Sequence, residues 1–252
     1  MVYVRAASSF AMGLVDLHCH LLWDLDDGCR TAEETIEAAR VLSAVGYAEV
    51  VATPHVQTRY GGADGHLVAA RLAEARTLLR REGVELALHG GGENILDEAF
   101  LARAGGPETR PLGERPRYAL VEVPFQADVP ELAQLVERAV AAGTTPVVAH
   151  PERCAAFAQP ARAAEAVRLG AALQLNLGSL IHRHGPRAQV LAERFLGEGL
   201  YAVAATDLHA PEGADEWIVE ALEALETRGG RRELQRLCED NPRRVLAGED
   251  LT

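Results

Sequence analysis

Short apolar runs alternate along almost the whole chain with stretches in which apolar positions recur at helical spacing. The runs fall at 14–17, 49–52, 84–89, 118–123, 145–149, 173–177 and 201–205, and predict seven strands. Between them, Thr31 opens a helix with Glu34 at the capping-box position and Ile36, Ala39, Val41 and Leu42 following. Further helices are predicted over about 64–82, 130–142, 160–169, 186–198, 214–227 and 231–239, the last two separated by the Gly-Gly pair within 226–232. No Ser/Gly-rich linker or change of composition interrupts the βα repeat, which argues for one α/β domain over 14–252. Residues 1–13 precede the first strand signal and read as a poorly ordered extension, with Met12 a candidate natural start. Residues 105–117 are the longest loop-like stretch, which in a βα barrel is where substrate contacts are made.

Composition removes several alternatives. With 252 residues, 48% hydrophobic and 25% charged, the chain is neither disordered nor fibrous. Acidic residues outnumber basic ones 37 to 25, for a net charge of −12 that repels nucleic acid and anionic membrane, so an anionic substrate needs a local positive site. Every basic residue is arginine. Without lysine there can be no Schiff-base enzyme, no P-loop NTPase and no metal pair bridged by a carboxylated lysine. Four cysteines without a CxxC pair fit a reducing compartment, and no signal-like or membrane-length apolar run is present, so the cytoplasm is expected.

Residues suited to metal binding follow the predicted strands. The first strand runs into Asp16, His18 and His20, the second into His55, the third into Glu93, the fourth to Glu122, the fifth to His150 and the seventh to Asp207 and His209. In a βα barrel all strand C-termini open on one face, so these segments would meet in one pocket. Alternate strand residues share a side, which lets a His-x-His pair grip one ion and turns Cys19 the other way. Imidazoles mixed with carboxylates suit Mn²⁺, Fe²⁺ or Zn²⁺, and a carboxylate can bridge two ions. His66, His89, His182 and His184 read as structural or surface residues. Asp27, in the Asp26-Asp27-Gly28 turn, is either a turn carboxylate or one returned to the pocket. Arg153 is either a two-pronged phosphate clamp or a surface partner of Glu152.

The segments DLHCHLLWDLDDG, VATPH, GGEN, YALVEVPF, TPVVAHPER, ATDLH and NPRRVL, in this order, resemble the PHP (polymerase and histidinol phosphatase) metallohydrolases, and within them the manganese-dependent protein-tyrosine phosphatases of bacterial capsule and exopolysaccharide loci. The resemblance spans residues 14–251. It implies a distorted (β/α)7 TIM-like barrel holding two or three divalent ions, Mn²⁺ first among them. His18, His20, Asp27, His55, Glu93, Glu122, His150, Asp207 and His209 would be the ligands, with Glu93 bridging and Arg153 on the phosphate. A metal-activated hydroxide would attack phosphorus, with His209 or a water as acid, and the substrate would be a phosphotyrosine protein such as a bacterial tyrosine kinase. One departure is notable: the relatives carry Asn and then Arg after Asp-x-His, whereas His209 is followed here by Ala210, Pro211 and Glu212. Arg59 or an arginine of 105–117 is the candidate substitute. Rival readings are a small-molecule phosphatase of histidinol-phosphate or nucleotide type, a non-catalytic metal-stabilised partner of a kinase, and a cysteine phosphatase built on Cys238 and Arg244. The acidic residues and Pro242 between those two speak against the last.

Overall fold

A computed structural model describes residues 13–56 and 64–252. Met12 and Arg59 lie outside them, as does the expected extension apart from Gly13, whose N–H bonds the Gly46 carbonyl. Eight strands are present among the described residues, all parallel and each paired with its sequence neighbour within a sheet. One sheet has the order β1 (Leu14–Cys19), β2 (Tyr47–Ala52) and β3 (Ala87–Gly90). The other runs β4 (Glu93–Ile95), β5 (Tyr118–Glu122), β6 (Thr145–Ala149), β7 (Ala172–Asn176) and β8 (Tyr201–Ala205). The expected count of seven rises to eight because the chain breaks at Gly91-Gly92 and re-enters as a separate short strand. A Cβ on Gly92 would stand 2.8 Å from the Val56 side chain, so this close crossing requires glycine. Isolated parallel bridges join Cys19 to Leu208, and His55, just beyond the central strand β2, to Glu93 at the start of β4.

The strands are buried on both faces, and alternate residues enter two different cores. Val15, Leu17, Val51, Leu120, Val147 and Val203, drawn from both sheets, share one cluster. Leu14, Cys19, Val50, Val121 and Val148 belong to a larger one with the helices. Each fully buried aliphatic side chain contributes about 1.5–3 kcal/mol of transfer free energy. The crossovers are α1 (Ala32–Val45), α2 (Gly65–Arg81), a short α3 (Glu98–Leu101), α4 (Leu132–Ala141), α5 (Pro160–Arg168) and α6 (Gly185–Gly197), and α7 (Ala214–Gly229) follows the last strand. Thr31 caps α1 by accepting from Glu34 N, but the Glu34 carboxylate reaches back to Arg30 N, one residue further than a capping box requires. The last predicted helix begins as α8 (Arg231–Gln235), widens into a π-type turn at Arg236–Asp240 and continues as α9 (Asn241–Ala247).

Candidate metal centre

All nine residues of the candidate ligand set converge, His18, Glu93 and Glu122 from within strands and the other six from the segments that follow strands. Their donor atoms gather within 4.8 Å of one another in overlapping groups: His20, Asp27, His55 and His209; His18, His150 and Asp207; His18, His20 and Glu93; Glu93, Glu122 and His150. Local chain geometry delivers them. The Asp26-Asp27-Gly28 turn folds so tightly on β1 that a Cβ at Gly28 would lie 2.2 Å from the His20 carbonyl oxygen, and Cys29 N bonds that oxygen. His150 and Asp207 both sit at positive φ, 36° and 56°, a backbone state that non-glycine residues adopt at a cost of about 1–3 kcal/mol.

The imidazoles are oriented from behind. His18 Nδ1 lies 2.9 Å from Gln174 Oε1, and because Gln174 Nε2 donates to the Leu175 carbonyl, the amide presents its oxygen and His18 Nδ1 is the donor. His20 Nδ1 donates to Asp26 Oδ2 at 2.7 Å, and His209 Nδ1 to the Asp207 carbonyl at 2.9 Å. In the neutral rings, the Nε2 lone pairs therefore face forward. Those of His18 and His20 are 3.1 Å apart, each 3.3 Å from Glu93 Oε2, with Asp207 Oδ1 at 3.2 and 3.6 Å. Glu93 faces two ways, Oε2 also toward His55 Nδ1 at 3.3 Å and Oε1 toward His150 Nε2 at 3.2 Å. Ligand atoms about 2.1 Å from a shared ion are separated by about 3.0–3.4 Å, so these spacings fit the edges of a coordination polyhedron. Acceptors packed at this distance in a buried site repel unless a cation or protons lie among them, so the donor set fits divalent metal.

Charge within the cluster shifts its members. Burial alone would raise the Glu93 carboxyl, but the neighbouring histidines hold it well below the carboxylate range. Burial would lower His18, and the carboxylates of Glu93 and Asp207 reverse this, holding it up at about 9. His20 is likewise raised against burial by Asp26 and Glu93, while burial prevails at His55 and His150 and lowers both. His209 holds Asp27 down at about 2. Asp27 is therefore more than a turn residue: its Oδ1 lies 3.4 Å from His209 Nε2 and 3.5 Å from His55 Nε2.

Arg153 does not pair with Glu152. That carboxylate is buried and accepts from Asn176 N, Ser179 Oγ and Tyr201 OH at 3.0, 2.7 and 2.9 Å. Arg153 Nη1 instead donates to Asp207 Oδ2 at 2.7 Å, and its guanidinium lies 4.6 Å over the Phe125 ring. In the 105–117 loop, Arg117 binds Asp250 and the Gly248 carbonyl at the opposite end of β5 from Glu122, and Arg115 packs near Gly248. Arg110 packs its methylenes on Gly92. His89 pairs with Glu49, and His66 and His182 are exposed. His184 is exposed too, but its Nε2 lies 3.2 Å from Asn176 Oδ1.

Gln174 and Asn176 escaped the sequence reading, and Asp16 and Asp26, which it did note, act from behind the cluster. Asp26 orients His20 and also accepts from His55 N, Gln174 orients His18, and Asn176 Nδ2 holds Asp207 Oδ2 at 2.9 Å. Asp16 binds His18 N and both Thr206 N and Thr206 Oγ1, tying the two ends of the chain together under the cluster. Gln174, a polar residue between Leu173 and Leu175 in β7, was the available signal.

A parallel α/β scaffold with imidazoles and carboxylates gathered from its strands and the turns after them defines an α/β protein with a cluster able to hold metal ions. The comparisons narrow the class. Over residues 14–247 the chain matches, and belongs to, the capsular polysaccharide synthesis family CpsB/CapC. It is 28% identical over 247 residues to the tyrosine-protein phosphatase YwqE of Bacillus subtilis, covering 94% of this chain and 93% of that protein. A solved chain from crystal structures of YwqE from B. subtilis and CpsB from Streptococcus pneumoniae, described as metal-dependent tyrosine phosphatases, superposes with a TM-score of 0.83 at 27% identity, covering 95% of this chain and 96% of that one. The phosphotriesterase homology protein of Escherichia coli shares the fold, with a TM-score of 0.59 at 11% identity over 92% and 98% of the two chains.

Proposed function

We propose that this chain is a metal-dependent protein-tyrosine phosphatase acting in capsular or exopolysaccharide synthesis. One observation carries the reading: the His18 and His20 Nε2 atoms and Glu93 Oε2 converge at 3.1–3.3 Å beside an arginine fixed to Asp207, which is metal and phosphate chemistry in one cavity. Its relatives' activity supports it. We assign His18, His20, Asp27, His55, Glu93, Glu122, His150, Asp207 and His209 as the residues holding two or three divalent ions, Mn²⁺ foremost, with Glu93 between ions. The two sheets, joined at Cys19–Leu208 and His55–Glu93, would form the distorted (β/α)7-type barrel around them, as one domain over 14–252. A phosphotyrosine protein such as a tyrosine kinase is the proposed substrate and the cytoplasm the proposed location. Among the described residues no helix is long and apolar enough to cross a membrane.

When bound, divalent ions supply charge neutralisation at phosphoryl oxygens and acidify water. The chain's own residues do the positioning. Arg153, braced by Asp207 and Phe125, presents its remaining N–H groups to the phosphoryl oxygens, a charge-assisted contact that strengthens as negative charge grows. Phe125, at the rim of the same cavity, offers a face to the substrate's aromatic ring. His209 spends its Nδ1 proton on the Asp207 carbonyl and turns Nε2 to the cluster, so we assign it to metal holding and not to proton donation.

The test is a panel of phosphotyrosyl peptide, histidinol phosphate and nucleoside monophosphate with Mn²⁺, with and without EDTA. Preferential turnover of the peptide, abolished by EDTA, is expected. Preference for histidinol phosphate or nucleotide overturns the substrate assignment, and metal binding without turnover of any member overturns the enzyme reading.

A further inference from the structure

Two cavities adjoin the metal cavity on its Arg153 side. One, of about 240 Å³, has Arg183, His184 and Trp217 in its wall and shares Arg153, Asp207 and His209 with the metal cavity. The second, of about 220 Å³, is walled by Phe125, Arg153, His184 and Arg187. Arg183 and Arg187 are exposed, and neither forms an ion pair with another described residue. Arg183 is propped 4.5 Å over the Trp217 ring, which fixes the guanidinium plane while leaving its N–H edge open. Opposing charge is sparse: Glu152 is occupied by three hydrogen bonds, Asp207 by Arg153, and Glu212 is the remaining carboxylate on the wall of the first cavity. A protein of net charge −12 thus places three arginines around the flank of its proposed phosphate site.

We propose that these flanking cavities make the enzyme selective for acidic sequence around the target residue, Arg183 and Arg187 receiving Asp or Glu side chains of the substrate polypeptide. The inference rests on the phosphatase reading above. Continuity carries it: Arg153 walls all three cavities, so a polypeptide whose phosphate reaches Arg153 has the other two guanidinium groups within the cavities next to its neighbouring residues. One carboxylate matches the fork of one arginine. Exposed charges of this kind set selectivity and association more than turnover.

Mn²⁺-loaded full-length protein should be assayed on two phosphotyrosyl peptides that differ only in acidic or neutral flanks, with p-nitrophenyl phosphate as a flank-free control. The acidic peptide should be favoured by about tenfold in kcat/KM, mainly through KM, and the preference should shrink as salt rises from about 50 to 500 mM. Arg183→Gln with Arg187→Gln should bring the ratio to within about twofold of one, and the corresponding Arg→Glu pair should invert it. Both positions are exposed, and circular dichroism would verify folding. Equal kcat/KM for the two peptides in the wild type, or an undiminished preference in the double variant, while p-nitrophenyl phosphate is hydrolysed, would overturn this selectivity alone. Failure to turn over any of the three with metal bound overturns the phosphatase reading and this inference with it.

Discussion

The Nε2 atoms of His18 and His20 stand 3.1 Å apart, each ring committed at its Nδ1 to a partner behind it, Gln174 for one and Asp26 for the other. Two imidazoles so fixed cannot turn away from each other, and whatever lies between them must be positive. The choice is between protons and metal.

Metal uptake should therefore release protons. His18 is held at about 9 by Glu93 and Asp207 against the effect of burial, above its ordinary 6.5. A raised imidazole stabilises the metal-free fold fully below about 6.5, and this contribution is lost as pH rises through about 9. Metal binds the neutral ring, so the stabilisation it adds should grow across that window. Thermal melts with and without Mn²⁺ between pH 6 and 9 should show a widening gap in Tm. A gap that narrows with pH would contradict the proton competition, and calorimetry in buffers of different ionisation enthalpy would count the protons.

Glu93→Gln should lose metal as well as rate. The carboxylate is buried and lies within 3.3 Å of nitrogens from His18, His20, His55 and His150, so its removal takes away the anion that all four face. Elemental analysis after gel filtration should give a stoichiometry clearly below wild type. An unchanged stoichiometry would exclude Glu93 from metal holding.

Arg153→Ala should cost about 2–4 kcal/mol in kcat/KM, or two to three orders of magnitude, with Arg153→Lys recovering only part because an ammonium lacks the planar fork. The guanidinium also braces Asp207, so a modest loss of metal affinity should accompany the kinetic defect. A kcat/KM within threefold of wild type would remove Arg153 from phosphate binding.

Thiol chemistry should be irrelevant. Cys238 is 1% exposed in the π-type turn, where burial pushes its thiol far up, and Arg244 lies on the next helix with Glu249 as its partner. Iodoacetamide on the folded protein and Cys238→Ser should both leave activity intact, while EDTA abolishes it. Inactivation of Cys238→Ser with activity surviving EDTA would reverse the mechanism.

The strand positions and the gathering of the candidate residues were legible because most of the apolar runs lead into a polar residue of metal-binding type, as at 145–149 and His150. What stayed hidden was tertiary in origin. Nothing local marks Gln174 as the partner of His18, 156 residues away, or Asn176 as the brace of Asp207. The extra strand at 93–95 was concealed because Gly90-Gly91-Gly92 reads as a turn, whereas the chain passes through that crossing and resumes pairing with β5. For Arg153, adjacency in the sequence suggests Glu152 as an ion-pair partner, but the fold buries that carboxylate facing Ser179 and Tyr201 and gives Arg153 to Asp207.

The nine candidate residues are shared between the two sheets, with His18, His20, Asp27 and His55 contributed from the first and the turns that follow its strands, and Glu93, Glu122, His150, Asp207 and His209 from the second. A growing chain thus carries three of its imidazoles from an early stage and cannot complete the set until its last strand has emerged. On the proposed assignment, full ion capture would be the closing event of assembly, a rivet set after both plates are in position. Chains made and refolded without divalent ions should reach native secondary structure yet remain easy to cleave between the sheets, and adding Mn²⁺ should close that route to proteases.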